Sequence, residues 1–143
     1  MKSKAPLALM EQMVMLLVFA LAATLCLQAF LKSDEISKRV EERDRAVTLC
    51  QSVAEVIRSD GGKPDDALSG AAQKLGYNYD QGLLWEEYDK NWNSDSEGVY
   101  RLTAQEVPTD ITGLYSARVA VEYEEETLFE LTVAWQGEGI AYE

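Results

Sequence analysis

The chain has 143 residues, enough for one domain plus attachments; it contains no histidine and carries 25 acidic against 13 basic side chains. The missing histidine removes the commonest general base and the commonest transition-metal ligand. Residues 60–143 hold 18 of the acids and 5 of the bases, a field that repels phosphate backbones and argues against nucleic-acid binding by that part.

The first six residues, MKSKAP, form a short basic leader containing Lys2 and Lys4. Residues 7–31 read as a transmembrane helix. From Met13 to Leu31 there is no charge, and the polar residues are Thr24 and Gln28. At helical rise this stretch spans about 28 Å, close to the hydrocarbon thickness of a bilayer. A cleaved secretory signal fits less well, because the apolar run continues well past the Ala20-Leu21-Ala22 site. A lipoprotein signal is disfavoured by bulky Leu25 before Cys26. The short segment ahead of the span predicts a cytoplasmic N-terminus and an exported C-terminal part, although Lys32, Lys38 and Arg39 beyond the span do not add to that bias.

Residues 32–59 continue as an amphipathic extension. Asp34–Lys38, Glu35–Arg39 and Glu41–Arg45 are i,i+4 pairs with the acid N-terminal to the base. Ile36, Val40, Val47, Cys50, Ala54 and Ile57 fall on one stripe, which predicts a face to bury. No glycine or proline interrupts Leu7 to Ser59, and Asp60-Gly61-Gly62-Lys63-Pro64 ends the run. One helix of about 50 residues is the simplest reading; a break at Ser33-Asp34, with the serine as a cap, is the alternative. On one continuous helix Cys26 and Cys50 stand about 36 Å apart, too far for a disulfide. Cys50 then reads as a packed thiol or a contact between subunits.

Residues 60–143 read as an acidic α+β ectodomain. Asp65–Leu75 is a short helix ending at Gly76. Tyr115–Tyr123 and Phe129–Trp135 alternate apolar and polar residues around Glu124-Glu125-Glu126, a hairpin signature. Tyr100–Ala104 is a third strand and Leu83–Tyr88 a fourth, with Pro108 and Gly113 marking a turn. A sheet of three or four antiparallel strands does not close a core by itself, and the stripe of residues 36–57 is its natural cover.

Long helix on antiparallel sheet resembles the type IV pilins and the pseudopilins of type II secretion and competence systems. The residues that carry the likeness are the leader MKSKAP, the apolar LALMEQMVMLLVFALAATL after it, and Glu11, fifth when Leu7 is counted as first. The resemblance implies cleavage between Pro6 and Leu7 by a prepilin peptidase, an assembly platform, and other pilin-like subunits as partners through the N-terminal helix. It gives Glu11 the role of pairing with the freed amino terminus of a neighbour. The family normally has glycine where Pro6 stands. The residues alone leave a second reading of Glu11, an acid suited to the helix N-terminus in the headgroup layer.

Asp89, Asn91, Asn93, Asp95 and Glu97 place oxygens at every second position, like the first part of a calcium loop; Ser94 stands where that loop has glycine and Tyr100 where it has glutamate. A plain polar loop is the alternative. Trp92 within it is the best candidate for an exposed aromatic contact, whereas Trp135 reads as sheet core. The chain shows no Ser/His/Asp or Cys/His set and no phosphate-binding glycine loop, and its pattern implies no cofactor. The expected function is therefore non-enzymatic: a minor pilin or pseudopilin subunit. The alternative is an uncut single-pass protein that presents a binding module.

Overall fold

A computed structural model describes residues 4–137. The first half of the basic leader, residues 1–3 with Lys2, lies outside the described residues. The chain divides into two compact units, residues 1–41 and 42–143, and helix α1 (Ala5–Asp60) supplies residues to both.

In the first unit all residues from Ala5 onward are helical. Pro6 is tolerated in the first turn, where its missing N–H has no helical acceptor to lose. The large apolar side chains are exposed on every side of the helix, Leu7 at 70 % and Phe19 at 73 % among them. α1 is long and apolar enough to cross a membrane. Further on, Lys38 meets Asp34 at 3.2 Å and Arg39 meets Glu35 at 3.7 Å, surface pairs worth about 0.2–0.5 kcal/mol each.

The second unit is α+β. Residues 42–60 of α1 and helix α2 (Pro64–Leu75) cover one face of a five-stranded antiparallel sheet: β1 (Asn78–Asp80), β2 (Leu83–Tyr88), β3 (Tyr100–Val107), β4 (Leu114–Tyr123) and β5 (Glu126–Gln136). The strands lie side by side in chain order. α2 has Pro64 in its first turn and ends on left-handed Gly76 (φ 74°), after which the Tyr77 N–H donates to Ala72 O at 2.9 Å, as helix C-termini commonly do.

The sheet has one strand more than expected. β1 is only Asn-Tyr-Asp, too short and polar to alternate visibly, but it pairs with β2 through a two-residue turn at Gln81-Gly82, both at positive φ. Such twisted turns match the twist of the strands they join. Glu124-Glu125 makes the equivalent turn between β4 and β5, so Glu126 belongs to the strand and not to the turn.

The helical stripe is also corrected. Ile36 and Val40 are 52 % and 53 % exposed, and they belong to the first unit. The buried positions of α1 are Ala46, Cys50, Val53, Ala54 and Ile57, with Val47 half-buried. These meet Ala67, Leu68 and Ala71 of α2, Leu84 and Leu102 of β2 and β3, and Val119 and Val121 of β4 in one core. Each large side chain so buried contributes about 1.5–3 kcal/mol. Polar contacts fix the junction of the two helices: Trp135 Nε1–H donates to Gly62 O at 3.0 Å, and the Asp60 carboxylate pairs with Lys74.

Candidate functional site

Two groups of residues were expected to carry function, and they lie in different units. Glu11 lies in α1 of the first unit, exposed. On a helix its neighbours at i±3 and i±4 are Leu7, Ala8, Val14 and Met15, all apolar. Among the described residues it has no ion-pair partner. It is the single charged residue between Leu7 and Leu31. The Pro6–Leu7 bond lies within the first turn of the same helix, and Leu7 is exposed.

The loop of residues 89–99 belongs to the second unit and is tied down by its own polar groups. Asp89 Oδ1 accepts the backbone N–H of Asn91 at 2.8 Å and of Asn93 at 2.9 Å. Together these backbone donors hold the Asp89 carboxyl below the usual carboxylate range, Asn93 foremost. Asp95 Oδ1 accepts the Glu97 N–H at 3.2 Å. Asn91, Asn93, Asp95 and Glu97 are exposed. Among the described residues no three histidine, cysteine, aspartate or glutamate side chains gather into a metal-holding group. Asp89 and Asp95 act here as turn-formers, the ordinary use of a short carboxylate beside free amides.

Trp92 differs from the exposed contact its loop suggested. It is half-buried, and its ring stacks on Tyr100 at 4.0 Å with the planes 13° apart. The Tyr100 hydroxyl donates to Glu42 Oε1 at 2.8 Å, and the Tyr88 hydroxyl to that of Tyr77 at 2.7 Å. Burial raises the Tyr88 and Tyr100 hydroxyls well above their ordinary pKa, and their hydrogen-bond partners add to the effect. Trp92 adopts φ 63° to reach the stack, a conformation that is strained for a bulky residue. Aromatic packing therefore closes the loop over β3. Trp135 is buried, as expected of sheet core. Of the three tryptophans it is Trp85 that stands on the uncovered face of the sheet, in line with Thr103 and Ala120.

Sequence reasoning missed two features of the second unit. A groove of about 390 Å³ runs between α1 and β5, with Ala54, Leu131 and Val133 as its floor and Gln51, Glu55 and Arg58 along the helix side. A hollow of about 260 Å³ lies against the β3–β4 turn, lined by Pro108, Thr109, Ile111 and Gly113 among others. The alternation of β5 was visible, but not that the strand stands at the edge of the sheet with its apolar face half-covered. Both cysteines are free; Cys26 is exposed, and Cys50 is buried, with its thiol pushed up to about 12 by that burial.

Comparison of the chain with protein-family models, with curated proteins and with solved structures gave no match.

Proposed function

We propose that the chain is a non-enzymatic, membrane-anchored subunit of the pilin-like kind, a minor pilin or pseudopilin. It assembles through its N-terminal helix into a type IV pilus, competence or type II secretion filament. In this reading residues 7–31 cross the membrane with the N-terminus in the cytoplasm, and residues 60–143 stand outside or in the periplasm. A prepilin peptidase and an assembly platform act on it, and other pilin-like subunits are its partners.

The observation that carries the reading is a helix segment exposed and apolar on every side with one carboxylate, Glu11, inside it. Lipid satisfies the apolar surface but not the carboxylate, which is costly within the hydrocarbon when it is unpaired. A neighbour's amino terminus would relieve that cost and set the register between helices. The α+β architecture of the second unit, with α1 residues on an antiparallel sheet, is compatible with a pilin-like fold.

Co-expression of tagged and untagged full-length chains tests the proposal. The untagged chain co-purifies from membranes with the tagged one, and Glu11→Ala lowers its recovery severalfold. Equal recovery with Glu11→Ala contradicts the role of Glu11. The intact mass of the membrane-derived protein reports on processing: cleavage at Pro6–Leu7 supports the subunit reading. Retention of Met1 favours the second reading, an uncut single-pass protein with an exported binding module, which Pro6 in place of the usual glycine supports.

A further inference from the structure

The two edges of the sheet differ. On the β1 side, β1 covers three residues of β2, and the 89–99 loop covers the rest. Tyr88 bridges to Ser94, and the Asp95 N–H donates to Glu87 O at 2.9 Å. That edge is blunted as soluble proteins usually blunt one. β5 is different: 11 residues long, with β4 on one side and, among the described residues, no strand on the other. It contains no lysine, arginine or proline, the residues that commonly protect an edge.

The direction of its free groups follows from one bond. The Gly137 N–H donates to Gly113 O at 3.0 Å, in register with the ladder Leu114↔Gln136 to Val121↔Phe129. Backbone direction alternates along a strand. The N–H groups of Phe129, Leu131, Val133 and Trp135 therefore face β4, and those of Glu130, Thr132, Ala134 and Gln136 face the open side. Leu131 and Val133 are half-buried, while their partners on β4, Val119 and Ala117, are fully buried. The groove beside α1 lies over these same two side chains.

We propose that β5 and this groove accept an extended segment of another protein as a sixth strand, with apolar residues at alternate positions and basic residues between them. Its backbone would bond the open row of amides and carbonyls, as in strand addition generally. Its apolar side chains would fill the groove over Leu131 and Val133, and its bases would lie on the opposite face beside Glu130. Charge selects the occupant. β5 carries Glu126 and Glu130 and no base, and residues 60–143 hold 18 acids against 5 bases; a second copy would bring the same acids to the seam. The inference stands apart from the membrane and assembly reading.

The test uses the full-length chain in detergent micelles and a labelled peptide, Lys-Val-Lys-Val-Lys-Val-Lys, read by fluorescence anisotropy. The peptide binds the unaltered chain. Thr132→Pro, which removes one outward N–H at an edge position where proline is tolerated, weakens it at least tenfold. Methylation of every backbone amide of the peptide does the same without altering the protein, and Glu130→Lys weakens binding severalfold. Failure of the peptide to bind overturns the proposal. So does unchanged affinity for the methylated peptide, or equal affinity for the charge-reversed Glu-Val peptide.

Discussion

Gly98 shows how one missing side chain shapes the second unit. A Cβ there would stand 2.5 Å from both N and O of Tyr88, and backbone atoms of a paired strand have nowhere to move. Gly98→Ala is expected to pull the 89–99 loop from β2 and cost about 1–3 kcal/mol, the usual range for overpacking, measured as a lower urea midpoint. Loss of the Trp92–Tyr100 stack should accompany it, seen in the near-ultraviolet circular dichroism. Cys50 makes a pH prediction. Burial raises its thiol from an ordinary value of 9.0 to about 12, so the unfolded chain releases that proton first. The contribution to stability is complete below pH 9 and is lost as pH rises toward 12. The raised hydroxyls of Tyr88 and Tyr100 act in the same direction. Urea midpoints between pH 8 and pH 11 should fall, and Cys50→Ala should reduce the slope of that fall. A flat profile would show that these groups are not buried as described.

At the scale of elements, the apolar stripe of α1 divides at the boundary between the units. Ile57→Ala should cost about 2–5 kcal/mol, as core deletions of this size do. Ile36→Gln and Val40→Gln should change the unfolding free energy of the second unit, read by urea titration, by no more than about 0.5 kcal/mol, the usual range for surface sites. Equal effects at Ile36 and Ile57 would contradict the division. The residues themselves show why the sequence was legible in some places and not in others. α1 was readable because nothing breaks it from Leu7 to Ser59, and the β4–β5 hairpin because its alternation runs for several residues on each side. α2 was readable from its terminal Gly76. Ile36 and Val40 were misplaced because their spacing fits the same stripe as Cys50 and Ile57, and periodicity does not say where the covered surface stops. β1 was missed because three residues carry no period. Trp92 was misjudged because its polar neighbours hide a stack on Tyr100, which only tertiary structure brings together. The groove beside β5 depends on strand order, which no local pattern encodes.

In the whole molecule as proposed, labour divides along the chain: residues 7–31 hold lipid and neighbours, and residues 42–137 form a folded unit with a closed core and one open sheet edge. The apolar segment is exposed over its whole circumference, so packing between copies should select one face, set by Glu11. Cysteine scanning from Met13 to Leu31 in native membranes, in a Cys26→Ser background, measures that face through oxidative cross-links between chains. Covalent dimers should recur every three or four positions, and Glu11→Ala should reduce them severalfold. Monomers at every position, or a pattern unchanged by Glu11→Ala, would contradict assembly through this helix.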